Sequence, residues 1–151
     1  MSMPPGRLRR GNHNVHQLYV HFVFVTKYRQ QTLHRAKEQI YFEIFDGICR
    51  DKLHECQLLS MGTDGDHVHL LVRYPPNLSI SEIVKALKGG FSHEWNIKYA
   101  EDDKRGGKLK FYWSAGYFVK SVGQTTMGES AGYINRQGND KKGNDQQQAA
   151  Q

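Results

Sequence analysis

The chain has 151 residues, a length that suits one domain with one hydrophobic core, and it carries a formal net charge of +6 with a sequence pI near 9.3. This basic balance favours a polyanionic partner such as nucleic acid, and no apolar run approaches the roughly 20 residues that span a bilayer, which argues against an integral membrane protein. The amino-terminal stretch MSMPPGRLRRGNHN lacks the apolar segment of a secretory signal, and Cys49 and Cys56 lack CxxC spacing, so we expect a cytoplasmic protein with reduced thiols.

The first part of the chain predicts an arm, a strand and a helix. Residues 1–15 are basic and rich in proline and glycine, and we expect them to form a flexible arm. Residues 17–28, QLYVHFVFVTKY, are almost continuously apolar or aromatic, which predicts a strand that is central in its sheet or buried on both faces. From residue 33 to about residue 54, apolar side chains recur at helical spacing, which predicts a first amphipathic helix. These side chains are Ile40, Tyr41, Ile44, Phe45 and Ile48.

The middle of the chain predicts a hairpin and a second helix. Residues 55–74 have the pattern of two strands that flank a turn, Asp-Gly-Asp at 64–66. Residues 75–99 open with proline and contain a capping box from Ser79 to Glu82, so a helix is expected to begin there. One apolar stripe on this helix would consist of Ile80, Ile83, Val84 and Leu87.

The last part of the chain predicts a fourth strand at 111–123, a weak helix around 127–137 and a disordered polar tail at 139–151. The element order is then β-α-β-β-α-β followed by a carboxy-terminal helix. This order predicts an α+β, ferredoxin-like sandwich, in which a four-stranded antiparallel sheet carries both helices on one face. We expect a single domain over residues 16–138.

Two histidines begin a strand in the segment GDHVHLLV at 65–72. Because residues two apart on a strand point to the same side, His67 and His69 project together, while Val68 and Leu70 face the core. Imidazoles at this spacing can hold one metal ion, with Asp66 just before them at the turn. The alternative is a pair of hydrogen-bonded surface histidines on an amphipathic strand, and the pattern alone does not decide between them.

A tyrosine and a glutamine in the segment AGYINRQ are four residues apart, so on a helix Tyr133 and Gln137 share one face. A tyrosine hydroxyl has an ordinary pKa of about 10 and needs activation to attack at neutral pH, which a divalent ion on a scissile phosphate can supply. The amide oxygen of Gln137 could complete a ligand set with the two histidines. Alternatively, Tyr133 packs on the sheet and Gln137 is solvated, and seven other tyrosines compete for the role.

Five segments in the right order resemble the single-tyrosine transposases of the TnpA type, which belong to the His-hydrophobe-His (HUH) nucleases. The segments are VTKYRQQ, GDHVHLLV, SEIVKALKG, WSAGYFVKSVG and YINRQ, and together they extend over roughly residues 16–138. The resemblance implies that His67, His69 and Gln137 bind Mg²⁺ or Mn²⁺. It also implies that Tyr133 attacks single-stranded DNA, leaving a 5′-phosphotyrosine and a free 3′-hydroxyl. Rejoining then needs no ATP, in agreement with the absence of a GxxxxGK[ST] phosphate loop.

The resemblance further implies a homodimer, since two element ends must be cut and each chain offers one nucleophile. In that family each active site combines the histidine pair of one subunit with the tyrosine helix of the other in at least one state, and the DNA ends form hairpins. Six residues are candidate DNA contacts because they could neutralise phosphates or stack on a base. They are Lys27, Tyr28, Arg29, Arg73, Lys85 and Lys88.

Three other functions compete with a transposase. Replication initiators and relaxases share the paired histidines but are usually larger, with a differently ordered tyrosine motif. A domesticated relative acting on chromosomal repeats would be chemically identical. A non-catalytic module that binds RNA or single-stranded DNA also suits a ferredoxin-like sheet, although the aromatic RNP pattern of RNA-recognition domains is absent.

Overall fold

A computed structural model describes residues 9–10, 15–102 and 104–123, and this part of the chain forms six strands and two α-helices. In chain order they are β1 (Arg9–Arg10), β2 (Val15–His16), β3 (Leu18–Val25), α1 (Glu38–Asp51), β4 (Gln57–Thr63), β5 (His67–Tyr74), α2 (Ile80–Lys98) and β6 (Phe118–Val122). The predicted carboxy-terminal helix at 127–137 and the predicted tail lie outside the described residues. Strand β1, within the segment 1–15 predicted as an arm, pairs antiparallel with β2 at the end of that segment.

Four strands form one antiparallel sheet in the order β4-β5-β3-β6. The hairpin strand β5 lies between β4 and β3, so the two strands joined by α1 are not neighbours. The first long strand, β3, is central, as its continuous apolar sequence predicts. A four-stranded antiparallel sheet with two helices is therefore confirmed.

The sheet has two unlike faces, because side chains alternate along each strand. The helix face contacts α1 and α2 and consists in β3 and β5 of Val20, Phe22, Phe24, Val68, Leu70 and Val72. The opposite side, which we call the histidine face, includes in these strands Tyr19, His21, His67, His69, Leu71 and Arg73, and neither described helix packs on it. The domain core thus lies between the sheet and the two helices, and the histidines are on the other side.

Helix α2 begins where its sequence predicts. The Ser79 hydroxyl accepts a hydrogen bond from the backbone N–H of Glu82, and the Glu82 carboxylate accepts one from the Ser79 N–H. This reciprocal cap satisfies two donors that the first turn would otherwise leave unpaired. Buried residues on α2 include Ile83, Val84 and Leu87 of the predicted stripe. The part of the chain described here has no helix long and apolar enough to cross a membrane.

The first helix is shorter than predicted. Leu33 and His34 are not helical, because the Leu33 N–H donates to the carbonyl of Gly65 at 2.8 Å and holds this segment against the hairpin turn. A 3-10 turn at Arg35–Lys37 then leads into α1, which ends at Asp51 rather than near residue 54. Helical periodicity did not predict this boundary, because it depends on a tertiary backbone hydrogen bond from Leu33 to the turn.

The fourth strand is also shorter than predicted, since β6 begins at Phe118 rather than at residue 111. Side chains of α2 hold the preceding segment away from the ladder. Asn96 bonds both backbone groups of Phe111, at 3.0 Å and 2.6 Å. The Lys88 ammonium donates to the carbonyls of Ser114 and Gly116, at 2.6 Å and 3.0 Å.

Candidate metal centre and nucleic-acid interface

The hairpin turn is fastened to the end of β3, which fixes where the histidine strand begins. The Thr26 N–H and hydroxyl both donate to the carbonyl of Asp66, at 2.8 Å and 3.1 Å. Gly65 has a φ of +71°, a left-handed conformation that glycine adopts at no steric cost. The turn therefore places His67 beside the end of β3 and fixes the register of β5 against β3.

The predicted pair is brought together on the histidine face. The ring centroids of His67 and His69 are 4.9 Å apart, with the planes at 76° to each other. His69 is buried at 7% exposure, whereas the His67 side chain is 22% exposed. Val68 and Leu70 pack in the core on the helix face, as predicted. The two rings thus lie side by side, one enclosed and one open to solvent.

A carboxylate orients the more exposed histidine. His67 Nδ1 lies 2.7 Å from Asp66 Oδ1, and Arg29 Nε lies 3.0 Å from Asp66 Oδ2. These contacts, led by the one from His67, lower the pKa of Asp66, so it is an anion that only accepts hydrogen bonds. The proton of a neutral His67 ring is therefore on Nδ1, which leaves the lone pair of Nε2 available to a metal ion.

A third histidine contacts the buried one. His21 Nε2, from the centre of β3, lies 3.2 Å from His69 Nδ1, and the two rings meet edge to edge with centroids 5.3 Å apart and planes at 16°. The other nitrogen of His69, Nε2, is buried and has no hydrogen-bond partner among the described residues. Such an unmade bond costs about 1–3 kcal/mol unless another group fills it.

Burial keeps the two contacting histidines, His21 and His69, neutral. Loss of solvent, followed by the proximity of His67 and His21, lowers the pKa of His69 to about 3. Burial, and then the charge of Lys120, lowers the pKa of His21. A neutral imidazole is the form that ligates metals, so the electrostatics of this face suit a metal ligand better than an ion pair.

The histidine pair fits two positions of a metal site. Both Nε2 atoms are unprotonated when each Nδ1 donates to its neighbour, and one of them is the orphaned buried atom described above. Among the residues that the structure describes, no group of three or more histidine, cysteine, aspartate or glutamate side chains is arranged to hold a metal ion. The third predicted ligand, Gln137, and the predicted nucleophile, Tyr133, lie outside the described residues.

Three of the predicted DNA contacts form a solvent-exposed turn next to His67. Lys27, Tyr28 and Arg29 form a 3-10 turn in which Tyr28 and Arg29 have left-handed φ values of 57° and 51°. The Tyr28 side chain is 83% exposed, and the Lys27 ammonium lies 5.3 Å from its ring centroid. The same ammonium lies 5.6 Å from the ring of Tyr112. An exposed cation with two aromatic rings nearby therefore lies close to the histidines.

The other three predicted contacts differ in accessibility. Arg73 is fully buried on the histidine face, with its guanidinium 5.5 Å from the ring of Tyr19. Lys88 is half-buried and its ammonium donates to three backbone carbonyls of residues 114–116. Lys85 is exposed on α2. Accessibility supports a phosphate contact for Lys85 and does not support one for Arg73 or Lys88.

Sequence reasoning missed His21 and Tyr112. His21 is hidden in a continuously apolar strand, and only strand pairing shows that it meets His69 from across β3 and β5. The signal available in the sequence was a polar residue, His21, within an otherwise apolar strand. Tyr112 lies in a segment predicted as strand, and it reaches Lys27 because the Lys27 N–H donates to its carbonyl at 2.9 Å.

The chain is similar in sequence to known transposases. A family model described as "Transposase IS200 like" matches residues 14–137. The ISDra2 transposase TnpA of Deinococcus radiodurans is 30% identical over 141 residues, covering 88% of this chain and 93% of the relative. The transposase for insertion sequence element IS200 of Salmonella typhimurium is 31% identical over 112 residues, covering 70% of this chain and 68% of the relative.

Solved structures show a similar fold. A crystal structure of a Deinococcus radiodurans protein described as a transposase has a TM-score of 0.63 and 28% identity, covering 85% of this chain and 97% of that one. A REP-associated tyrosine transposase bound to a REP hairpin has a TM-score of 0.55, with 90% of this chain and 72% of that one covered. At 15% identity, the second likeness concerns the fold alone.

Proposed function

The chain belongs to the IS200-like transposases, which are DNA strand-transferring enzymes, and from this premise we propose the reaction that it performs. It cleaves and rejoins single-stranded DNA at insertion-sequence ends on a ferredoxin-like domain. Tyr133, on a carboxy-terminal helix, is the nucleophile, and His67, His69 and Gln137 hold Mg²⁺ or Mn²⁺. The observation that carries the proposal is the orphaned, buried Nε2 of His69 beside a His67 ring whose Nδ1 is held by Asp66.

The chemistry divides between an ion and this chain's own side chains. A divalent ion bound by the histidines would draw charge from the scissile phosphate. The Tyr133 oxygen forms a bond to phosphorus and loses its proton, while the bond from phosphorus to the 3′ oxygen breaks and that oxygen gains a proton. The products are a 5′-phosphotyrosine and a 3′-hydroxyl. Reversal by another 3′-hydroxyl rejoins strands without an external energy source.

The exposed turn after β3 suits the strand that leads to the histidines. Bases of single-stranded DNA stack on exposed aromatic rings, and a nearby cation contacts the phosphates. Tyr28 and Tyr112, which are 83% and 54% exposed, flank the Lys27 ammonium and provide both. Arg29 links this surface to the site, because its Nε contacts Asp66 while its side chain remains 76% exposed.

We propose that Lys85, which is exposed, contacts phosphates of the DNA. We do not propose this contact for Arg73, which is buried, or for Lys88, whose ammonium is bound to backbone carbonyls. The hairpin near each element end is part of the proposal through family membership. We place the reaction in the cytoplasm, where the buried thiols of Cys49 and Cys56 remain reduced.

A homodimer is proposed because excision needs two cuts and each chain offers one nucleophile. Strand β6 pairs only with β3 among the described strands, so none of these strands covers its other edge. Side chains along and beside it are exposed, with Tyr117, Phe118 and Val119 at 41%, 55% and 39%. An open strand edge with exposed apolar side chains is a surface that a second copy can cover.

Mixed subunits test the shared active site. Tyr133→Phe and His67→Ala proteins, each inactive alone, are combined and assayed for nicking of single-stranded DNA. If sites are shared, the mixture regains part of the wild-type activity, because one site in the mixed dimer has both an intact histidine pair and an intact tyrosine. A mixture as inactive as its components, with mixed dimers demonstrated by mass spectrometry, would contradict sharing.

The test of the function itself is a covalent adduct. Labelled single-stranded DNA carrying the element ends is incubated with protein and Mn²⁺, and the protein–DNA product is mapped by mass spectrometry. We expect one adduct, on Tyr133, that EDTA prevents and that Tyr133→Phe abolishes while hairpin binding persists. Tyr99→Phe is the matched control and keeps the adduct. Binding of DNA without an adduct on any end would favour a non-catalytic module, and an adduct on another tyrosine would overturn the nucleophile assignment.

A further inference from the structure

We propose that His21 is a positioning residue for the metal site, which fixes the ring and the protonated nitrogen of His69. The proposal rests on the proposed function, since it supposes that the histidine pair binds a divalent ion. His21 itself does not touch the ion. It acts through His69, as Asp66 acts through His67.

The contact between His21 and His69 has the geometry of a hydrogen bond between two buried rings. His21 Nε2 and His69 Nδ1 are 3.2 Å apart, and the near-parallel rings meet edge to edge with their centroids 5.3 Å apart, so the contact lies close to the plane of both rings. Both residues are buried, at 9% and 7% exposure, so water does not compete easily for the contact. His21 projects from the centre of β3, whose pairing with β5 over eight residues holds the two rings in register. The ring of His69 is therefore constrained from one side by an in-plane hydrogen bond.

The contact selects a tautomer. If His69 Nδ1 carries the proton, it donates to His21 Nε2, and the orphaned Nε2 of His69 presents a lone pair. If His21 Nε2 donates instead, the proton of His69 lies on Nε2, a buried N–H without a partner that cannot ligate a metal. A divalent ion binds only the tautomer of His69 with its proton on Nδ1, so a hydrogen-bond acceptor at position 21 favours the tautomer that can bind the ion.

The two proposed metal ligands, His67 and His69, have different hydrogen-bond partners. His67 is oriented by a carboxylate at 2.7 Å, whereas His69 is oriented by a neutral imidazole. Outer partners of metal-binding histidines are worth about 10–100-fold in metal affinity when removed. We expect His21 to have an effect in this range, since among the described residues it is the only hydrogen-bond partner of the His69 side chain.

The experiment measures Mn²⁺ binding, by titration calorimetry and by the electron paramagnetic resonance of free Mn²⁺, in full-length wild type and three variants. His21→Leu removes the acceptor and is expected to weaken binding about 10–100-fold. His21→Gln places an amide oxygen near the position of Nε2 and is expected to remain within a few-fold of wild type. His93→Leu, at an exposed histidine of α2, is the control and should bind as wild type does.

The outcomes separate this inference from the function on which it rests. A wild type that binds no Mn²⁺ overturns the proposed metal site itself. A wild type that binds while His21→Leu binds equally well overturns the role of His21 alone. If His21→Leu does not fold, as judged by circular dichroism, the tautomer of His69 in ¹⁵N-histidine-labelled wild type decides. A proton on Nδ1 supports the inference and a proton on Nε2 overturns it.

Discussion

The two faces of the sheet use the same strands for opposite purposes. On the helix face, alternate residues of β3 and β5 are apolar, fully buried and packed against α1 and α2. On the histidine face, the intervening residues include three histidines and an arginine that are paired with one another or with neighbouring polar groups. Because strand side chains alternate, polar residues that can carry chemistry lie between residues that stabilise the fold.

This division predicts which substitutions affect stability and which affect function. The helix face derives its stability from close packing, where the loss of a ring leaves a cavity. The histidine face instead depends on polar contacts such as the one between His69 and His21. Substitutions on the two faces should therefore have separable effects on unfolding and on metal binding.

The largest expected effect is on the helix face. Phe22 is fully buried and stacks with Phe24 at 5.6 Å, so Phe22→Ala should lower the free energy of unfolding by about 3–5 kcal/mol. His67→Ala, in the neighbouring strand, loses one polar contact and should lower it by about 1–2 kcal/mol while abolishing Mn²⁺ binding. Urea denaturation and calorimetry measure the two quantities. Equal destabilisation by Phe22→Ala and His67→Ala would show that stability does not depend mainly on the helix face.

An intermediate effect is expected where the histidine face meets the hairpin turn. Asp66→Ala removes the carboxylate that orients His67, so Mn²⁺ affinity should fall about 10–100-fold. Asp66→Asn keeps an acceptor oxygen and should retain more of the affinity than the alanine variant. A folded Asp66→Ala protein that binds Mn²⁺ as tightly as wild type would remove Asp66 from the site.

The smallest effect distinguishes two lysines of α2. Lys85 is exposed, so Lys85→Gln should weaken binding of single-stranded DNA slightly and lower the slope of log affinity against log salt by about 0.7. Lys88→Gln should leave that slope unchanged and lower the melting temperature, because Lys88 holds the segment 114–116. Fluorescence anisotropy over a salt series measures the slope. A lower slope in Lys88→Gln would return this lysine to the DNA surface.

Local sequence patterns predicted the elements that depend on local physics. The capping box at Ser79, the turn at 64–66 and the alternation around His67 and His69 are each specified within a few residues. The pairing of His21 with His69 was not predictable in this way, because the two residues are 48 positions apart and meet only through strand order. The ends of the first helix and of the last strand were wrong for the same reason.

The same limit applies to the DNA contacts. Arg73 and Lys85 are both basic residues in regular elements, and their sequences give no reason to treat them differently. Arg73 lies on a central strand, on the face that also holds Tyr19, and is buried, whereas Lys85 projects from the exposed side of α2. Charge in the sequence therefore indicated a polyanionic partner without indicating which cations are accessible to it.

The most direct measurement is anomalous diffraction at the manganese edge from crystals of the full chain grown with Mn²⁺. We predict one strong peak on the histidine face, within bonding distance of Nε2 of both His67 and His69, with His21 still in contact with Nδ1 of His69. A structure in which Mn²⁺ occupies another part of the protein while both Nε2 atoms bind other groups would contradict the account.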